Sequence, residues 1–281
     1  MSLSVHTNKS ALVALQNLNK TNTELEQVQG RINTGLMVNN ASDNAAVWAI
    51  AQGQRSDIGA LNSVKMSLDR ARSIAEVSST AGETVSDLLV QLKEKVVAAM
   101  DTSIDTSSRT ALDSDFKSIL RQITQTVQNA QFDGANLLDG SLPGNLKFLA
   151  NADANSYITL SKQTLSLGGS VITIAATASL GTITFATSIL TQLSTSISLT
   201  NQALGNLGSQ QRQIEGHSTF VGKLTDVLNT GVGNLVDADL AKESARFQAL
   251  QVRQQLALYA MQIANQQPSI LLQLFQFNRA A

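Results

Sequence analysis

The chain has 281 residues, 43% hydrophobic but only 4% aromatic, with two prolines, no cysteine and a formal charge of −1. Such a composition suits long helices with aliphatic cores, and the missing cysteine excludes disulfides, thiol catalysis and Cys-bound metal. Lys and Arg are scattered without a basic stripe, so nucleic acid is not an expected partner.

In chain order, apolar residues first recur at Leu12, Leu15, Leu18, Leu25, Val28, Ile32 and Leu36. This spacing predicts an amphipathic helix with a narrow seam, in which Asn22 and Gln29 hold two positions. So polar a seam is weak alone, and the helix is expected to order fully only on packing against a partner. Residues Met1 to Lys20 hold no basic segment followed by an apolar one, so an ordinary secretory signal is not expected. From Asn33 to Asn44 the residues Gly35, Asn39, Asn40, Ser42 and Asp43 read as an ordered connector ending in a helix cap at Ser42 or Asp43.

A second helix follows, with a seam through Ile50, Ile58, Leu61, Leu68, Ala75, Val85, Leu88, Leu92, Val96 and Ala99, and a possible bend at Gly82. A Thr/Ser/Asp cluster at 101–108 marks a turn. The third helix shows Leu112, Phe116, Ile119, Ile123, Val127 and Ala130. The short turn predicts that helices two and three are antiparallel neighbours.

Phe132-Asp133-Gly134 and Leu138-Asp139-Gly140 are turn signals. After them Tyr157 to Ser161 alternates at period two, while Val171 to Ile174 and Ile183 to Phe185 are β-branched runs beside Gly168, Gly169 and Gly181. Residues 141–186 therefore read as a small hairpin region at the tip of a helical bundle, too short for its own core. Residues Gln163 to Gln211 carry no charge. The seven hydroxyls between Thr173 and Ser188, with Gly181, argue against a membrane span there.

The longest periodic stretch runs through Leu190, Leu193, Ile197, Thr200, Leu204, Leu207, Gln211, Ile214, Ser218, Val221, Thr225, Leu228, Val232 and Leu235. A repeat of 3.5 residues kept up this long predicts a rod on the order of 70 Å, whose partners are helices two and three. Val236 to Asp239 looks like a break and a new cap. The last helix is predicted from about Leu240 to Gln266, with Ala241, Ala245, Ala249, Val252, Leu256, Tyr259 and Ile263 on one face and Leu250, Ala257 and Ala260 on another. Two apolar faces call for two sets of partners. The apolar tail Ile270 to Phe277 suggests burial in an interface.

Several stretches resemble bacterial flagellins. They are Arg31-Ile32-Asn33-Thr34-Gly35-Leu36 with Asn39-Asn40-Ala41-Ser42-Asp43-Asn44-Ala45-Ala46, the opening His6-Thr7-Asn8, and Phe132-Asp133-Gly134-Ala135-Asn136-Leu137-Leu138-Asp139-Gly140. Asp237 to Arg246, Gln251 to Gln255 and Asn265-Gln266-Gln267-Pro268 complete the match. The resemblance implies a secreted subunit, exported unfolded through the flagellum's own channel with an export chaperone. It would polymerise into a filament bounded by cap and junction proteins. It implies a mainly α fold, a long antiparallel helical bundle and coiled coil with a terminal helix pair and a small β-hairpin region.

The implied layers are 1–40 with 237–281 for polymerisation, 41–140 with 187–236 for the bundle core, and 141–186 as the surface-exposed hairpin region. Leu15, Leu18, Leu25, Arg31, Ile32, Ala245, Val252, Leu256 and Ile263 are the expected polymerisation residues. Three departures stand out: Asn44 replaces a frequent Asp, Val47-Trp48 replace a glycine-containing pair, and the tail from Gln276 runs past the usual end. Gln91 and Lys95 occupy positions where many flagellins carry an Arg and a Leu recognised by an animal innate immune receptor, so recognition is expected to be weak or absent.

Other readings are blander. His6 and His217 are far apart and nothing arranges a Ser/His/Asp triad, so no catalytic residue is expected. Asp237 with Asp239, or Asp113 with Asp115, read as helix caps rather than metal ligands. Gly205, Gly208, Gly231 and Gly233 read as close helix packing, and no phosphate loop or cofactor site is present. Asn8-Lys9-Ser10 and Asn40-Ala41-Ser42 fit the N-glycosylation pattern but lie in segments expected to be buried on assembly. Modification of exposed Ser or Thr within 141–200 is the better expectation. The alternatives to a filament subunit are a hook-filament junction protein of the same superfamily, or a surface homologue that binds glycan or receptor through 141–186.

Overall fold

The computed structural model describes residues 8–277, with side chains through residue 266. His6 and the tail residues from Asn278 lie outside the described residues, as do the side chains of Ile270 to Phe277. The described helices are α1 (Lys9–Thr34), α2 (Ala45–Ala99), α3 (Thr106–Asn129), α4 (Ile183–Val236) and α5 (Leu240–Phe277), and a two-stranded sheet pairs β1 (Leu146–Leu149) with β2 (Tyr157–Leu160). The chain divides into two compact units, Ser56–Val227 and a second made of Met1–Arg55 with Leu228–Ala281.

In the unit 56–227, α2 lies antiparallel to both α3 and α4. Lys95 reaches Asp115 at 2.8 Å, and the Arg109 guanidinium donates to the Ala99 and Asp101 carbonyls, closing the C-terminal end of α2. Ser86 meets Asn201 at 3.3 Å across α2 and α4. Of the positions that the periodicity predicts, Leu68, Leu92, Phe116, Ile123, Leu193, Leu207 and Ile214 are buried, and Ile74, Leu89 and Leu120, outside the predicted seams, are buried with them; Ile50, a predicted seam residue of α2, is 55% exposed. Every seam position of the long rod, from Leu190 to Leu235, is buried or half-buried.

Four local expectations are corrected. Gly82 is no bend, since α2 is continuous there. A Cβ on Gly82 would sit 2.6 Å from Leu204 Cδ2, so its role is close approach of α4. Gly205 and Gly208 have open space where a Cβ would be, so helix packing within the chain does not explain them; at Gly233 a Cβ would meet Asp237 Oδ2 at 2.8 Å. The cap of α2 is Asn44, whose Oδ1 accepts from the Val47 amide at 3.2 Å. Asp43 instead accepts from the Asn39 and Asn40 amides inside the connector. Finally α5 continues to Phe277, past Pro268.

The region 141–186 also differs from expectation. Tyr157 to Leu160 is a strand with Ile158 and Leu160 buried, but its partner is Leu146–Leu149. Val171 to Ile174 contributes a single bridge, Leu167 to Ile172, and Ile183 to Phe185 forms the first turn of α4. There Thr182 Oγ1 accepts from the Phe185 amide at 3.3 Å, while Ala186, Ile189 and Leu193 go into the core at helical spacing, which overrides the strand propensity of the run.

The region lies along the flank of the bundle rather than at its tip. The Leu149 amide donates to Ser67, the Ser161 amide to Gln210, His217 Nε2 to the Ala150 carbonyl, and the Thr173 amide to Ser196. With no core of its own, it buries Leu160, Leu165, Ile172, Ile174 and Leu180 against the helices.

Candidate functional site

The terminal helices build the site. α1 begins at Asn8, whose Oδ1 accepts from the Ala11 amide at 3.0 Å, and ends at Gly35. Gly35 sits at φ +71, a left-handed conformation that costs an L-residue about 1–2 kcal/mol, and its amide closes on the Arg31 carbonyl. The chain then pairs with the end of α4, the Met37 amide donating to the Val236 carbonyl at 2.7 Å and the Ala238 amide to the Gly35 carbonyl at 2.8 Å. α5 starts at Asp239, whose carboxylate accepts from the Ala241 and Lys242 amides. Asp239 is thus a cap, as predicted.

From this junction α1 and α5 run antiparallel as a pair. Three polar contacts set the register: Arg31 Nη1 to Glu243 Oε1 at 3.4 Å, Gln254 Nε2 to Asn22 Oδ1 at 2.8 Å, and Asn8 Nδ2 to the Ala264 carbonyl at 2.7 Å. Between them Ala14, Leu18 and Val28 on α1 and Leu250 and Ala264 on α5 are buried, with Leu25 and Ile32 half-buried. Glu243 is buried, and its Oε2 has no hydrogen-bond partner.

The predicted polymerisation residues separate into two sets. Leu18, Leu25, Arg31 and Ile32 lie within the α1–α5 pair. Leu15, Ala245, Val252, Leu256 and Ile263 are exposed, the last three at 55%, 60% and 65%. The inner face of α5 is Glu243, Phe247, Leu250, Gln254, Ala257, Met261 and Ala264, buried or half-buried throughout. Its alternating steps of four and three are visible in the sequence, but two polar members make it the less apolar of the two faces.

The family profile of the bacterial flagellin N-terminal helical region matches residues 5–142, and that of the C-terminal helical region matches residues 186–275. This chain belongs to the bacterial flagellin family. It is 52% identical to Flagellin FljJ of Caulobacter vibrioides over 98% of this chain and 99% of that protein, and 36% identical to a flagellin of Brucella melitensis over 97% and 99%. A solved structure of a protein put forward as flagellar hook-associated in Vibrio parahaemolyticus shares the fold, with a TM-score of 0.54 at 12% identity over 69% of this chain and all of that one.

This flagellin is therefore a structural subunit that self-assembles into the extracellular flagellar filament. Likeness over nearly the whole chain favours that reading over a junction protein or a glycan-binding homologue. Among the described residues no helix is long and apolar enough to cross a membrane.

Proposed function

We propose that this flagellin polymerises through the faces of α1 and α5 that remain open once the two helices have paired. The supporting observation is that the more apolar side of α5 is its outer one, where Val252, Leu256, Tyr259 and Ile263 are each more than half exposed. A contiguous apolar face of this kind costs several kcal/mol in water at about 25 cal/mol per Å², and a further copy of the chain removes that cost by covering it. Leu12, Val13 and Leu15 are further exposed apolar side chains on α1, and Ala245 is exposed at the junction end of α5. Leu18, Leu25, Arg31 and Ile32 act one step back, by holding α1 to α5 in register.

In this reading residues 1–40 and 237–281 form the polymerisation layer, 41–140 and 187–236 the bundle, and 141–186 the outer part. The stretch between the two matched family regions, 143–185, supports the last assignment. The chain works as a packing element and not as an enzyme. An export apparatus and chaperone handle it before assembly, and cap and junction proteins bound the polymer. An innate immune receptor would bind weakly at Gln91 and Lys95, where the Lys95 ammonium is already tied to Asp115. Purified monomer should therefore give little signal in receptor reporter cells.

The test of the assembly surface is Leu256→Asp in the full chain. It should keep the helix content of the wild type, because the side chain is exposed in the protomer, and yield no sedimentable polymer. Wild-type polymerisation by this variant would refute the assignment.

A further inference from the structure

The charges of α5 are Lys242, Glu243, Arg246 and Arg253, and the next one in the chain is Arg279. Glu243 is buried, so the exposed charges of the helix are all cations among the described residues. Steps of four and seven residues hold Lys242, Arg246 and Arg253 within about 40° of one another, on one flank of α5. None of them makes an ion pair among the described residues.

The opposite flank is uncharged, with Ser244, Gln248, Gln251, Gln255 and Gln262 exposed along it. Between the flanks runs the apolar line of Ala245, Val252, Leu256, Tyr259 and Ile263, on the order of 27 Å long. An apolar strip with basic residues beside it and no exposed acid is the pattern of a helix that lies in the plane of a membrane surface. Among the described residues no helix is long and apolar enough to cross a bilayer, so the mode that fits α5 is lying on one.

The terminal unit offers these cations no matching row of carboxylates among its described residues. Glu24 and Glu26 lie on different sides of α1, and Asp43 accepts from the Asn39 and Asn40 amides. The Asp237 carboxylate lies over Gly233, and Asp239 caps α5. Terminal helices packed on one another in a polymer therefore leave Lys242, Arg246 and Arg253 unanswered. The row calls for an anionic partner of another kind.

We propose that α5 of the unpolymerised subunit docks on a bilayer that carries anionic head groups. Val252, Leu256, Tyr259 and Ile263 enter the boundary of the acyl layer, and Lys242, Arg246 and Arg253 meet lipid phosphates along one flank. Charge complementarity selects this occupant: a flat sheet of phosphates answers a single-sided row of cations and covers the open apolar strip in the same step. Tyr259 suits such a boundary, with its ring among chains and its hydroxyl among head groups. Each basic residue near an anionic surface strengthens partition about fivefold, so the row is expected to contribute on the order of 100-fold, less in salt. The inference rests on the outer face staying open in the protomer, and it makes membrane and polymer alternative covers for that face.

Vesicle flotation tests this, because vesicles rise in a density gradient while polymer sinks. The unpolymerised full chain is mixed at low salt with vesicles of phosphatidylcholine containing phosphatidylglycerol, and with vesicles of phosphatidylcholine alone. The wild type is expected to rise with the first and not the second. K242Q/R246Q/R253Q should lose on the order of 100-fold in partition and still form sedimentable polymer, whereas Leu256→Asp should lose both. K242E/R246E/R253E should instead rise with vesicles whose charged lipid is a trimethylammonium lipid, which a misfolded chain would not do. Wild type that polymerises but rises with no vesicle overturns the membrane contact, leaves the polymer reading standing and passes the row to an acidic protein. Equal flotation on neutral and anionic vesicles, or undiminished flotation of the glutamine variant, also overturns it. Wild type that neither rises nor polymerises overturns both readings. A glutamine variant that fails to polymerise still supports the contact if the glutamate variant rises on the cationic vesicles, and overturns it if that variant does not.

Discussion

The Asn8 amide links the two terminal helices by using both ends of its side chain. Its Oδ1 caps α1, and its Nδ2 donates to the carbonyl of Ala264 at 2.7 Å. Ala264 is four residues before Pro268, and proline has no N–H, so this is the one α5 carbonyl to which Pro268 denies a helical donor. Asn8 supplies the missing donor from the neighbouring helix.

Asn8→Asp keeps the cap and removes the donor. It should cost about 1 kcal/mol in the stability of the α1–α5 pair. In a Pro268→Ala background the backbone donor returns, and the cost of Asn8→Asp should largely vanish. Hydrogen exchange of α1 amides in the four proteins of this cycle checks the coupling, and equal costs in both backgrounds would refute it.

Arg31→Ala leaves the buried Glu243 carboxylate without any partner. Because the Arg31 side chain is 30% exposed, the cost should be about 1–3 kcal/mol, below that of a fully buried pair. Arg31→Ala combined with Glu243→Met should recover part of the loss. Thermal unfolding followed by circular dichroism reads both changes, and a double variant less stable than the single would contradict the account.

The two faces of α5 should respond oppositely to truncation. Leu250→Ala removes a side chain that is 2% exposed and should cost the protomer about 2–4 kcal/mol. Val252→Ala, two residues on but more than half exposed, should change protomer stability by less than about 0.5 kcal/mol while raising the concentration needed for polymerisation. Denaturant unfolding paired with sedimentation separates the two effects.

Asp113 fastens the approach to α4 onto α3. Its carboxylate accepts from Ser179 at 2.8 Å and the Leu180 amide at 2.6 Å, and it pairs with Lys117 at 2.6 Å. Partial burial works to raise the carboxyl, but the bonds from Lys117, Leu180 and Ser179 and the Lys117 charge outweigh it and hold it below the ordinary carboxylate range. The folded value is depressed, so this stabilisation is complete above about pH 4 and is lost as pH falls through the lower folded value. Asp113→Asn should therefore cost about 1–2 kcal/mol at pH 7, with the gap to wild type closing in acid. A gap that stays constant down to pH 2 would count against this role.

Much of the bundle was legible in the sequence because periodicity alone carries it. The seam of α4 could be read residue by residue, since a 3.5-residue repeat specifies which side is withdrawn from water whatever the neighbour is. Short segments were less legible. Ile183 to Phe185 has the composition of a strand and became the first turn of a helix, because core positions four and more residues further on decided its conformation. β1 carries no alternation strong enough to announce it, and it is a strand through its pairing with β2 and its bond to Ser67.

The sequence by itself determined that α5 has two apolar faces, and that α1 has a narrow, partly polar seam. Only the tertiary structure decided which face of α5 meets α1. Ranking by hydrophobicity favours the face of Val252, Leu256 and Ile263, yet the inner one is that of Leu250, Gln254, Ala257 and Ala264. The physical reason is complementarity. Asn22 and Asn8 need hydrogen-bond partners when covered, and Gln254 and the Ala264 carbonyl provide them, while small residues such as Ala257 and Ala264 suit close approach of the helices. Hydrophobic pattern specifies that a face must be covered, and polar matching across the pair specifies by which helix.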